Sequence, residues 1–505
     1  MRTMIDKTKT MAILLSMSVS ACMACSDSSE GTGGTPNPDP EPLPTGDVSY
    51  YLTSSNRAYD LTPGTLDFSQ VDNMSPSTVR LDPATRYQQM DGFGAAITGS
   101  TSYNLSLMPE EARAKFLEET FSPEHYGYSY VRIAIGCSDF SIAGEYTCCD
   151  TEGIENFALT TEETDYVIPT LKQIMAINPD VKIIAAPWTC PRWMKVEDLQ
   201  SLKPHNSWTG GQLNPKYYQD YATYFVKWLQ AFKDAGVDVD AISVENEPLN
   251  RGNSASLYMS WQEERDFVKT ALGPALQQNG FGHVQIYAFD HNYNYDNIAD
   301  QQDYSLKIFQ DAEAKKYFTG TAFHDYGGTR DELLDVHQKA PDMELLFTET
   351  SIGEWNNGRD LSQTLNRDME NIALGTVNNW CVGVIVWNLM LDSDQGPYGG
   401  PGACTTCYGA VDIDNTNYTT ISRNSHYYII AHLASVVKPG ATRIGTSGYT
   451  DDGIAYAAFE NTDGTYAFVL SNSKQEVQSI TVDDGTHHFS FEVPARAVIS
   501  YRWAK

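Results

Sequence analysis

Eight short apolar runs recur along the middle of the chain, and each is followed by polar or amphipathic sequence. This alternation restricts the fold more than any other feature. The runs are 91–98 (DGFGAAIT), 128–136 (YSYVRIAIG), 181–188 (VKIIAAPW), 241–247 (AISVENE), 284–290 (VQIYAFD), 320–326 (GTAFHDY), 343–349 (MELLFTE) and 382–389 (VGVIVWNL). Runs that are apolar at nearly every position, rather than at every second one, mark strands buried on both faces. Amphipathic segments at 110–121, 215–236 and 364–380 lie between them. Eight buried strands with seven visible intervening helices predict a (β/α)8 TIM barrel.

The flanks follow another rhythm. Residues 453–472 and 478–503 alternate with period two around Asp-Gly turns, the pattern of antiparallel strands in a sandwich. Residues 48–85 are also short and strand-like, with a turn signal at 62–64. The predicted class is therefore α/β: a TIM barrel over 86–430, attached to an antiparallel β-sandwich built from both ends of the folded chain, 48–85 and 431–505. Residues 26–47 (SDSSEGTGGTPNPDPEPLPTGD) have nothing to bury and read as a flexible linker. Before them, Arg2, Lys7 and Lys9 precede an apolar run at 11–21 that is too short to span a membrane. The run ends in VSAC (19–22), which resembles a bacterial lipoprotein cleavage box. Residues 1–25 are read as a lipoprotein signal peptide with Cys22 as the lipidation site and Cys25 as its rival. The expected location is the outer membrane, cell surface or periplasm, with a lipid anchor as the membrane contact.

The formal charge is −31, which repels nucleic acids and anionic membrane surfaces and suits a neutral ligand. Thirty Tyr and nine Trp supply flat faces on which sugars stack. Cys404 and Cys407 form a CxxC without the second ligand pair that a zinc site needs, so a local disulfide is expected in an exported chain. No metal-ligand cluster stands out, no cofactor is implied, and a monomer is the default.

Active sites in this fold lie at the C-terminal ends of the strands. Glu247 ends the fourth run and Glu349 the seventh, facing positions across a barrel mouth. Two carboxyl groups at one mouth are the minimal apparatus of glycoside hydrolysis, one donating a proton to the leaving oxygen and the other attacking or activating water. Trp188, His324, Tyr326 and Trp387 end other strands and suit a glycan cleft. Glu245, beside them, reads as a solvated side chain; contact with substrate, or repulsion that raises the acid's pKa, are the alternatives.

The motifs DGFGAAITGS (91–100), YVRIAIGCSDFS (130–141), AAPWTCPRWMK (185–195), SVENEP (243–248), LLFTET (345–350) and VWNLMLD (386–392) resemble glycoside hydrolase family 30, the family of glucosylceramidases and endo-β-1,6-glucanases. The resemblance runs from about residue 48 to the C-terminus. It implies Glu247 as general acid/base, Glu349 as nucleophile, and Arg132, Asp139, Trp188, Asn246, Tyr326 and Trp387 as residues that bind substrate or orient the carboxylates. It implies retention, with a raised pKa for Glu247 and an ionised Glu349. Thr98-Gly99, FHDYGG and the Cys404–Cys407 loop look more like the β-1,6-glucanases, so cleavage of a neutral β-1,6-glucan is expected. An exo-acting β-glucosidase or glucosylceramidase-like enzyme is the alternative, and a non-catalytic glycan-binding lipoprotein a remote one.

Overall fold

The computed structural model describes residues 46–70, 74–252, 254–293 and 298–505. Cys22, Cys25, the signal segment and the linker up to residue 45 lie outside the described residues.

Each of the eight apolar runs overlaps a strand: β1 (Gly92–Ala95), β2 (Tyr130–Ala134), β3 (Lys182–Ala186), β4 (Ala241–Ser243), β5 (Gln285–Asn292), β6 (Gly320–His324), β7 (Glu344–Glu349) and β8 (Cys381–Val386). They form one parallel sheet in the order β1-β8-β7-β6-β5-β4-β3-β2. It closes between β1 and β2, where Ser129 N–H donates to Phe93 O and Ile97 N–H to Arg132 O, both at 2.8 Å. Tyr130, Ile184, Ala241, Tyr287, Ala322, Leu346 and Ile385 fill the interior as one cluster. Their neighbours in sequence, such as Val131, Ile183, Ile242, Ile286, Leu345 and Val384, point outward into the core beneath the helices. Both faces of every strand are thus dry, and each large side chain contributes roughly 1.5–3 kcal/mol by burial. Gly94 permits the closure: a Cβ there would lie 1.9 Å from Tyr130 O. Close backbone packing accounts for the GFG run.

The sandwich strands form a nine-stranded sheet in the order Thr62–Leu66, Val48–Ser54, Ala497–Ala504, Thr465–Asn472, Ile454–Glu460, Thr442–Gly448, Thr78–Gln89, Gln478–Asp483, His488–Val493. The first described strand pairs antiparallel with the last, from Val48↔Trp503 to Ser54↔Ala497. The boundary expected near 430 falls inside a helix, Ser425–Ala434, and the sandwich strands resume at Thr442. One sandwich face closes on Val48, Val79, Phe468 and Tyr501. The other contributes Phe459, Val469 and Val498 to the same core that underlies the barrel helices.

Candidate active site

The barrel's own alternation builds the site. Two residues beyond the interior layer, the strands present Arg132, Ser243, His324, Thr348 and Trp387 at the C-terminal mouth. Arg132 is the hub and is fully buried. Its Nη1 donates to Glu349 Oε2 at 2.6 Å, and its Nη2 donates to Asn246 Oδ1 at 2.7 Å and to Asp290 Oδ2 at 2.8 Å. Trp188 and Trp387 stack on each other with ring centroids 5.2 Å apart, and both cover the guanidinium, at 5.0 and 5.3 Å. Each indole is only 2% exposed, so they hold Arg132 more than they offer an open platform. The Cys404–Cys407 disulfide forms as expected and packs in the same apolar cluster.

Glu247 and Glu349 meet at this mouth. Their carboxylates and the ring of His324 place one donor atom each within 4.8 Å of one another. That spacing matches the short separation of retaining glycosidases rather than the roughly 6.5–9.5 Å of inverting ones. Glu247 sits at φ +50, a left-handed conformation that is costly for a non-glycine residue and characteristic of functional sites. Strand β4 has already ended at Ser243, so strand alternation does not aim this side chain; the turn does. Asn250 Nδ2 donates to Glu247 Oε2 at 2.8 Å. On Glu349, Tyr326 Oη lies 3.0 Å from Oε1 while Arg132 holds Oε2. Tyr326 is 45% exposed and forms the open wall of the site.

His324 links the two carboxylate systems. Its Nδ1 is 3.2 Å from Glu247 Oε1 and its Nε2 is 3.1 Å from Asp290 Oδ1, so the imidazolium, which donates from both nitrogens, fits the ring's surroundings. Burial alone would lower its pKa, but the Glu349 charge and the bonds to Asp290 and Glu247 raise it to about 10. Burial pushes Glu247 up, yet His291, at 3.9 Å, and His324 outweigh it and bring it to about 2. Glu349 is lifted by burial, with Glu247 and Asp290 adding to the rise and His324 and Arg132 opposing it. The expected rise of Glu247 is therefore not found: its charged form is favoured, and it is Glu349 that is raised. The cause is the imidazole pair, which faces Glu247 and favours its charged form. Burial and the two glutamate charges raise Asp139 well above its ordinary value.

Two further corrections concern residues the sequence reading misjudged. Glu245 is not solvated: it is 1% exposed, neither carboxylate oxygen has a hydrogen-bond partner, and burial raises it well above its ordinary value. The charges acting on it are Lys195, Glu264 and Asp290. Asp290, not singled out as a site residue, is the anion at the centre of the site. Besides Arg132 and His324, it accepts from Ser243 Oγ at 2.5 Å and Thr348 Oγ1 at 2.6 Å, and it stays ionised far below the usual carboxylate range. The available signal was an Asp ending the run VQIYAFD, the same logic that picked out Glu247.

The family model for the glycosyl hydrolase family 30 TIM-barrel domain matches residues 90–437, and that for the family 30 β-sandwich domain matches 440–501. The chain belongs to glycosyl hydrolase family 30. It is a glycosyl hydrolase with the family's two-domain architecture. Among its relatives, an endo-1,6-β-D-glucanase of Trichoderma harzianum is 30% identical over 83% of this chain and 86% of its own length. The lysosomal acid glucosylceramidase of Mus musculus is 26% identical over 90% of this chain and 88% of its own. Among solved structures, that of the endo-β1,6-glucanase BT3312 is 64% identical, superposes with a TM-score of 0.88, and is matched over 91% of this chain and 100% of that one.

Proposed function

We propose that this protein is a retaining endo-β-1,6-glucanase in which Glu349 is the nucleophile and Glu247 the general acid/base. The observation that carries the mechanism is the pair of facing carboxylates within 4.8 Å. The linkage rests on the likeness to the glucanase structure at 64% identity. Glu349, oriented by Arg132 and Tyr326, attacks the anomeric carbon while the glycosidic bond to the leaving oxygen breaks. The proton for that oxygen comes from the His324–Glu247 pair: it crosses the 3.2 Å contact to Glu247 and passes to the leaving group. The resulting glucosyl ester on Glu349 is then hydrolysed by a water that Glu247 deprotonates, which restores both groups. A glycan-capture protein needs only the aromatic residues, and the assembled pair of glutamates argues against that role.

The test is the product pattern over time on linear β-1,6-glucan, for wild type and Glu349→Gln. Mixed short oligosaccharides from the wild type and none from the variant support the reading. Glucose alone from the first time point replaces it with an exo-acting β-glucosidase, the activity class to which the 26% identical glucosylceramidase points. The sequence of residues 1–25 supports export as a lipoprotein anchored through Cys22 at the outer membrane or cell surface. The chain acts there as a monomer on polymeric glucan. Labelling with a radioactive fatty acid, lost in Cys22→Ala and retained in Cys25→Ala, checks the anchor.

A further inference from the structure

Three side chains of metal-binding type converge in the barrel mouth, although they lie far apart in sequence. His324 Nδ1 is 3.2 Å from Glu247 Oε1 and 3.9 Å from Glu349 Oε1. One donor atom from each of the three falls within 4.8 Å of the others. A tetrahedral zinc ion with bonds of about 2.0–2.1 Å holds its ligand atoms roughly 3.3–3.4 Å apart. Small inward movements bring the group to that spacing.

Three further observations separate this group from a bare cluster of acids. First, each donor is held from behind by a partner on its other atom. His324 Nε2 is 3.1 Å from Asp290 Oδ1, Asn250 Nδ2 donates to Glu247 Oε2 at 2.8 Å, and Arg132 Nη1 donates to Glu349 Oε2 at 2.6 Å. A histidine backed by a carboxylate is the outer arrangement that orients zinc ligands and raises their basicity. Second, the charges cancel. Glu247, Glu349 and Asp290 in their charged forms face one guanidinium, Arg132, which bonds Asp290 and Glu349. That leaves two negative charges, which a dication neutralises beside a neutral imidazole. Third, the group is reachable and unsaturated. Glu247 and Glu349 are 5% and 6% exposed, on the side that opens to substrate. Tyr326 Oη uses one lone pair of Glu349 Oε1, at 3.0 Å, and the oxygen has a second.

We infer that Glu247, His324 and Glu349 form a binding site for a divalent transition metal of the Zn2+ type, and that the bound ion blocks the catalytic pair. Imidazole and carboxylate donors suit Zn2+ and Cu2+, whereas Mg2+ and Ca2+ call for six or more oxygen ligands. Binding replaces the proton on His324 Nδ1, which passes to solvent, and the metal keeps its oxidation state. The block rests on the reading of the two glutamates as catalytic; the site itself does not.

The experiment is calorimetric titration of ZnCl2 and of MgCl2 into the wild-type protein, Glu247→Gln and His324→Gln. One Zn2+ per chain is expected, bound at least about tenfold tighter than Mg2+. Each substitution should weaken Zn2+ binding about tenfold or more. Electron paramagnetic resonance of Cu2+ bound to the wild type should show coupling to one imidazole nitrogen that His324→Gln lacks. If His324→Gln does not fold, Glu247→Gln, an exchange of one oxygen for an amide nitrogen, carries the test. The site is overturned if Zn2+ binds no tighter than Mg2+, or if Glu247→Gln binds Zn2+ as the wild type does, which would place the ion on thiols elsewhere. Digestion of β-1,6-glucan with added ZnCl2 tests the consequence: KM should rise with kcat unchanged, and a chelator should reverse the effect. Tight Zn2+ binding by a protein that leaves β-1,6-glucan intact strikes the substrate assignment and supports the site. Cleavage unaffected by Zn2+ at saturating concentration strikes the block and leaves the glucanase reading standing.

Discussion

At the scale of single residues, the site works by spreading few protons over many acids. His324 faces Glu247, Asp290 and Glu349, and its raised pKa means that the folded protein keeps a proton which the unfolded chain gives up near 6.5. The stability it contributes is complete below pH 6.5 and lost as pH rises toward about 10. His324→Gln should therefore flatten the fall of Tm across that interval. It should also move the alkaline limb of kcat/KM toward acid, measured on a β-glucoside with an unactivated leaving group, because the imidazole in hydrogen-bond contact with Glu247 no longer stores its proton. Glu245 has the opposite sign. Its folded pKa is raised, so the unfolded chain ionises first and stability falls as pH climbs above the usual carboxylate value of 4.5. Glu245→Gln should raise Tm at pH 8 and change it little at pH 4. Glu247 and Glu349 were legible in the sequence because a charged residue closing an apolar strand is conspicuous. Asp290 closes its apolar run in the same way and carried the same signal; its inward direction was not legible, because positive φ at Phe289 and Asp290, +72 and +51, breaks the alternation there. Glu245 looked solvated because sequence gives polarity and not depth: helix Tyr218–Asp234 buries Tyr221 fully, and the Tyr221 ring feels the Glu245 charge.

At the scale of elements, the barrel depends on how closely its strands approach. Gly94 has no space for a methyl group against Tyr130 O, and Gly320 is as tight, with a Cβ 2.1 Å from Glu344 O. Both contacts are with backbone, which cannot rotate away. Gly94→Ala should cost about 1–3 kcal/mol or more and lower the denaturant midpoint with the m-value unchanged; a midpoint within error of wild type would show that β1 can shift. All eight barrel strands were readable because burial on both faces leaves continuous apolar runs. Their ends were not: β4 stops at Ser243, four residues before the run appeared to end, since a turn that carries catalytic groups is as buried as the strand before it. Wide helical turns at Glu163–Val167, Val268–Leu272 and Met369–Ala373 were also not read from the sequence.

At the scale of the whole molecule, barrel and sandwich are one structure. Asn366, on a barrel helix, donates to Ser471 Oγ at 2.9 Å, Asn472 O at 3.1 Å and Ala497 O at 3.3 Å, all on sandwich strands. His432 bridges Thr53 Oγ1 at 2.9 Å and Ser500 Oγ at 3.0 Å, joining the last barrel helix to the first and last strands of the sheet. A single calorimetric unfolding transition is expected, and a chain ending at Val437 should fail to fold; two resolved transitions would show independent domains. The pairing of Val48–Ser54 with Ala497–Ala504 also sets an order of events during synthesis. The first strand is made roughly 20–90 seconds before its partner exists, at translation rates of about 5–20 residues per second. Through that interval one edge can pair with Thr62–Leu66, which follows at once, but the other stays open. The nascent chain is thus most vulnerable to capture by other chains at its beginning, and it is relieved only when the final residues arrive.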